Sequence, residues 1–211
     1  MLQTGQYTRP NTSTSSLLRP VVVSALLFML VCGLVYPLLT TGVAQLIFPY
    51  QAQGSLIERE GEGVGSELIA QQFTGPRYLH PRPSVTLDNA GENPLPYNAA
   101  NSRGSNYGPT NEALISDVRE RVGEYRAEND LPDYTPVPVD AVTASSSGFD
   151  PHITPANADL QAPRIAEARG ASEGEVRRLI QENTAGRLFG LIGEPGVNVL
   201  ELNLALDELE G

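Results

Sequence analysis

The stretch VVVSALLFMLVCGLVYPLL, Val21 to Leu39, decides the architecture, its apolar character broken only by Ser24, Gly33, Tyr36 and Pro37. At about 1.5 Å per residue it makes roughly 29 Å of helix, which matches the hydrocarbon thickness of a bilayer. No charge occurs between Pro20 and Ile57. The stretch therefore predicts one membrane-spanning helix with its flank, residues 20–48. Pro37 withholds a backbone donor and crowds the carbonyl of Gly33, so a kink is expected near the outer end. Tyr36, Phe48 and Tyr50 fall at interface depth.

Arg9 and Arg19 precede the span, and the next basic residue is Arg59. That asymmetry places the N-terminus in the cytoplasm and residues 49–211 outside as a periplasmic domain. Residues 1–19, rich in Ser and Thr, read as a disordered cytoplasmic tail. A secretory signal is the competing reading, because Gly42-Val43-Ala44 offers a small-x-small cleavage site and would release a secreted binding module. The apolar run exceeds the roughly 7–15 residues of a signal core, which favours a retained anchor. Cys32, the only cysteine, lies in mid-span and so forms no disulfide within the chain.

The 14 basic residues are all arginine; after the span 12 of them face 25 acids, a formal charge of −13. Such a surface repels nucleic acid. Gly54–Ile57 and Gly65–Gln71 have strand length and Gly punctuation, and are expected to pair in a small sheet. The Pro-rich stretch 75–110 allows neither helix nor sheet to run far, which leaves a binding surface or disorder. Leu114, Ile115, Val118, Val122 and Tyr125 recur at helical spacing after Asn111 and predict a helix with one buried face. Thr154-Pro155 opens another that stops at Gly170, with Pro163 kinking or dividing it. A third starts with the capping box Ser172 and Glu175. Arg187–Ile192 and Val197–Leu202 read as strands around the turn Gly193–Gly196. The fold class is α+β: one transmembrane helix, then a mixed domain with a small sheet and about three helices.

Catalytic constellations are wanting in the sequence. There is no lysine for a phosphate-gripping loop and no Gly-x-Ser-x-Gly, and His80 and His152 lack ligand spacing. The expectation is no enzyme activity, no metal and no cofactor of its own. One stretch invites a ligand: Val142-Thr143-Ala144-Ser145-Ser146-Ser147-Gly148-Phe149-Asp150. Its hydroxyls and amides could cradle an anion, while a helix-entry loop capped by Ser and Asp accounts for the same residues and is the favoured reading. Gly104 to Asn111 carries the same two readings.

The order of motifs resembles one family. A span followed by GSELIAQ (65–71), RPS (82–84), SNYGPTN (105–111), PVPVDAVTASSSGFDPHITP (136–155), PRIAEARG (163–170) and GEPGVNVLELNLALD (193–207) is similar to the C subunits of Kdp potassium-transporting ATPases. The resemblance implies a non-catalytic subunit of a high-affinity potassium uptake complex in the bacterial inner membrane. It assists assembly and, as a catalytic chaperone, promotes ATP binding by a P-type ATPase subunit beside a potassium-selecting channel-like subunit. It also implies a nucleotide contact at Val142, Ser145, Ser147 and Gly148, with ATP entering only through the complex. That contact conflicts with an outer placement of the domain, where ATP is scarce.

Overall fold

A computed structural model describes residues 14–209, and the chain divides after Gly54 into two units. The first is one long helix: α1 (Thr14–Leu30), a π-helical turn (Val31–Val35) and α2 (Tyr36–Ile47), followed by a single turn, α3 (Pro49–Ala52). From Ser16 to Ile47 it is long and apolar enough to cross a membrane, and among the described residues none of its most apolar window is buried. Instead of a kink alone, Pro37 is accommodated by the wide turn. The Tyr36 N–H reaches back to the Val31 carbonyl, and Pro37 opens α2, where its missing N–H costs least. Gly42-Val43-Ala44 lies inside α2. The expected tail needs correcting at Thr14–Arg19, which are helical because Leu17 and Leu18 extend the apolar helix; residues 1–13 lie outside the described residues.

The second unit opens with a hairpin, β1 (Leu56–Arg59) and β2 (Glu62–Ser66). Glu60 and Gly61 both have positive φ, 53° and 83°, the turn that matches strand twist. The expected second strand, Gly65–Gln71, is thus displaced: pairing ends at Ser66, and Glu67–Gln71 turns away. The helices and remaining strands follow as α4 (Glu112–Glu128), α5 (Val139–Val142), β3 (His152–Ile153), α6 (Pro155–Arg169), α7 (Glu173–Glu182), β4 (Thr184–Ala185), β5 (Gly196–Asn198) and α8 (Val199–Glu208). The strands pair antiparallel in the order β3-β5-β4.

The sequence signals for α6 and α7 hold. Thr154 Oγ1 accepts from the Asn157 amide, Gly170 closes α6 at φ 65°, and the Ser172–Glu175 capping box is complete. Pro163 sits inside an unbroken α6. Val197–Leu202 is corrected from strand to helix entry: Asn198 Oδ1 accepts from the Leu200 and Glu201 amides and starts α8. Arg187–Ile192 is an exposed loop with a single bridge, Leu188 to Ile192, and the strand lies earlier, at Thr184–Ala185. Helix α4 buries only Tyr125 fully, so its apolar face is shallower than its periodicity suggests.

The core joins α6, α7, α8, β3 and β5 through Ile153, Ile165, Val176, Ile180, Val197, Val199, Leu202 and Leu206. Fully burying one such side chain contributes about 1.5–3 kcal/mol. Ala158, Ala162 and Ala166 keep α6 slim where it joins this cluster. Leu79, also fully buried, brings in the Pro-punctuated strap at 75–83. That strap cannot join a sheet, and two side-chain amides take the place of a ladder. Asn203 accepts from the Leu79 amide at 2.7 Å and donates to its carbonyl at 2.9 Å. Gln161 does the same for His80, at 2.8 and 3.1 Å.

Candidate functional site

The serine-rich segment runs from the end of α5 to β3, and its anchor is Asp140. This buried carboxylate accepts from the Thr154 amide (2.7 Å), the Thr154 hydroxyl (3.0 Å) and Asn157 Nδ2 (3.1 Å), so it ties α5 to the first turn of α6. A carboxylate at a helix N-terminus also meets the positive end of the helix dipole. Val142, one of the residues singled out for nucleotide contact, is 4% exposed and points into the fold. Its carbonyl accepts from Arg121 Nη1 at 3.2 Å.

The other three, Ser145, Ser147 and Gly148, are brought together, but on each other. The Gly148 amide donates to Ser145 Oγ at 2.9 Å, the two serine hydroxyls stand 3.2 Å apart, and the Ser147 carbonyl accepts from the Arg103 amide at 2.9 Å. The Gly148 carbonyl accepts from Ser84 Oγ at 2.6 Å. Gly148 has φ +79°, and a Cβ there would stand 2.5 Å from Thr86 Cγ2 and 2.6 Å from the Arg103 carbonyl. Only glycine fits. The Gly148 amide and one serine hydroxyl hydrogen are thus used inside the loop, and the Ser147 and Gly148 carbonyls tie it to the strap at 84–104.

That strap is itself a folded, hydrogen-bonded unit. Thr86 Oγ1 donates to the Leu95 carbonyl (2.6 Å), Ser84 Oγ accepts from the Tyr97 amide (3.0 Å), and Asn98 Nδ2 donates to the Leu87 carbonyl (2.7 Å). Asp88 accepts from the Glu92 amide and Asn93 Nδ2, and these bonds hold its carboxyl below the usual range. The Gly104 alternative resolves in the same direction: a Cβ at Gly104 would stand 3.0 Å from the Ser146 carbonyl oxygen.

Two clefts open beside the loop. One, of about 320 Å³, is lined by Arg82, Asp140, Asp150, His152, Thr154 and Glu194. Arg82 pairs there with Asp150 at 2.8 Å, whereas His152 Nδ1 stays 3.9 Å from that carboxylate, too far for a hydrogen bond. The other, of about 200 Å³, includes Thr143 and Ala144 with Arg103 and Arg121. Neither lining includes Ser145 or Ser147. A third cleft, of about 330 Å³, lies under α4 and includes Phe73, His80, Tyr97, Tyr125 and Glu128. There the hydrogen bond from His80, 2.6 Å away, holds the Glu128 carboxyl below its usual value. Burial pushes the Tyr97 phenol up to about 12 and raises Tyr125 further, so both act as neutral donors, to the Arg82 carbonyl and to Asn157. No hydroxyl is paired with a histidine in these clefts, and among the described residues no three His, Cys, Asp or Glu side chains are placed to hold a metal ion.

Sequence reasoning missed the residues that build this region: Asp140, Arg82, Asn157, Gln161 and Asn203. A signal existed for two of them. Asn157 and Gln161 lie four apart on the face of α6 that carries Ala158, Ala162 and Ile165, where a polar residue must have a partner.

Comparison with known proteins covers both units. Residues 18–208 match the family model described as KdpC, K+-transporting ATPase, c chain. The "Potassium-transporting ATPase KdpC subunit" of Mycobacterium tuberculosis (strain H37Rv) is 55% identical over 192 residues, 91% of this chain and 98% of that protein. The proteins of the same name from Rhodopseudomonas palustris (strain BisB18) and Methylobacterium nodulans are each 53% identical, over 195 and 199 residues. They span 96% and 98% of those proteins, and 90% and 92% of this chain.

Proposed function

The chain belongs to the family of the K+-transporting ATPase c chain, and on that premise we propose that it is the non-catalytic accessory subunit of a high-affinity, ATP-driven potassium uptake complex. In this reading the long apolar helix crosses the cell inner membrane once, with the N-terminus in the cytoplasm and the domain of residues 49–211 in the periplasm. The chain assists assembly with a potassium-selecting channel-like subunit and a P-type ATPase subunit, and promotes ATP binding by the latter. The observation that carries the reading is the extent of the family match: from 18 to 208 it takes in the anchor and the domain together.

The geometry of the serine-rich segment supports an indirect role in ATP binding. Its hydroxyls and the Gly148 amide are engaged in the fold, so the chain acts on the ATPase subunit through assembly rather than by offering these groups to a phosphate. The test is a strain whose other uptake subunits are intact and which lacks only this chain. Growth on micromolar potassium and potassium-stimulated ATP hydrolysis should both fail, and both should return with the full chain. Return with residues 55–211 alone would exclude a role for the anchor, and ATP hydrolysis by the purified chain would exclude the accessory reading.

A further inference from the structure

We propose that the π-helical turn at Val31–Val35 is a docking point for a transmembrane helix of a different subunit, one that presents a hydrogen-bond donor at mid-bilayer depth. The proposal rests on the accessory-subunit reading and names the surface through which the anchor would act. The Tyr36 N–H is committed to the Val31 carbonyl, five residues back. The carbonyl of Cys32 would take the next amide in either register: Tyr36 in α-helical spacing, which is already engaged, or residue 37 in π spacing, which is Pro37 and has no N–H. Cys32 therefore carries an acceptor that the backbone of its own helix does not fill.

The neighbouring hydroxyls are turned elsewhere. Thr40 Oγ1 donates to the carbonyls of Tyr36 (2.9 Å) and Pro37 (3.0 Å), beyond the bulge, and Ser24 Oγ donates to the Val21 carbonyl (3.0 Å). Cys32 stands near the middle of the Val21–Leu39 apolar run, where hydrocarbon offers no donor and an unmatched backbone group costs several kcal/mol. Beside the turn, Leu26, Met29, Leu30, Gly33 and Leu34 line an open apolar hollow of about 450 Å³. A Cβ at Gly33 would meet nothing within 4 Å, so the backbone there is bare to an approaching helix. A small residue lining a groove, next to an unfilled acceptor, is the surface that another membrane helix packs against when a Ser, Thr or Asn side chain supplies the donor. Lipid tails fill the groove but not the acceptor. A second copy of this helix brings the same unfilled carbonyl, with two of its hydroxyls, Ser24 and Thr40, already engaged, and the chain reconstituted alone tests that occupant.

Because Cys32 is the only cysteine, carboxyl-13C cysteine labels one carbonyl in the chain. The labelled full-length chain is reconstituted in lipid bilayers alone and in the complex with unlabelled partner subunits, and the carbonyl resonance is read by solid-state NMR. The resonance should move downfield on assembly. In parallel, recovery of the partner subunits with a tagged Gly33→Ile chain should fall by about tenfold, while Phe28→Leu, on the far side of the helix, should recover them as the unaltered chain does. An unchanged resonance in the assembled complex overturns the proposal, as does full recovery with Gly33→Ile. A downfield resonance already present in the chain alone also overturns it, because water or a second copy then fills the acceptor. If the unaltered chain recovers no ATPase subunit, the accessory reading fails, and the docking site with it.

Discussion

In the loop between α5 and β3 the Gly148 amide, the Ser145 and Ser147 hydroxyls and the Ser147 carbonyl all have partners within the protein. In the π turn of the membrane helix the Cys32 carbonyl has no partner in its own backbone, because Tyr36 is committed to Val31 and Pro37 has no N–H. The loop lies at the surface of a folded domain, where water could have served; the turn lies in the apolar run, where nothing else can. A segment whose hydroxyls and carbonyls bond within the protein has a structural use for them without a ligand. A segment with an unfilled acceptor in an apolar solvent gains from a partner that supplies a donor.

The comparison breaks most easily at Gly148. Gly148→Val places a side chain on the Thr86 methyl and the Arg103 carbonyl in a left-handed conformation, and should destabilise the domain that follows Gly54 by about 3 kcal/mol or more. Gly33→Val, in open space, should leave that domain's unfolding midpoint unmoved; near-UV circular dichroism of the full chain in detergent reads both. Asp140→Ala strands three donors around a buried site and should cost about 2–3 kcal/mol in the same measurement. Ser145→Ala removes the acceptor of the Gly148 amide and should cost about 1 kcal/mol. The KM of the complex for ATP should be unchanged in that variant. A raised KM with an unmoved midpoint would make the loop a ligand site and end the contrast.

The smallest effect is one of pH. The Glu128 carboxyl is held below the ordinary 4.5 by its bond from His80, and that of Glu175 by the Ser172 amide and hydroxyl. Each binds its proton more weakly in the folded state. Their stabilisation is complete above the unfolded value and fades as the pH falls through the folded one. The thermal midpoint should therefore hold from neutrality to about pH 5 and decline below it, less steeply in Glu128→Gln.

Local signals carried part of this structure into the sequence. The apolar run, the Thr154-Pro155 start, the Gly170 stop and the Ser172–Glu175 box are each set within a few residues, so each is readable without tertiary context. Val197–Leu202 misled because an apolar run suits strand and helix alike until Asn198 is recognised as a cap. The Glu60-Gly61 turn was hidden because glutamate rarely takes a positive φ. The clamps from Asn203 to Leu79 and Gln161 to His80 join residues 124 and 81 positions apart, and no local pattern encodes them. For the candidate site, composition singled out the serine-rich loop, but not the bonds from Ser84 and Arg103 that fix its carbonyls, because those partners lie more than 40 residues away in sequence.

The side of the membrane that this loop occupies decides whether it can meet cytoplasmic ATP. Tyr134 is 86% exposed on the same domain, so a Tyr134→Cys chain with Cys32→Ser carries one reporter thiol. Treated with an impermeant maleimide after the outer membrane is opened, intact cells should label it fully, placing the domain away from cytoplasmic ATP. Protection that ends only when the inner membrane is breached would put the loop beside ATP and contradict the account.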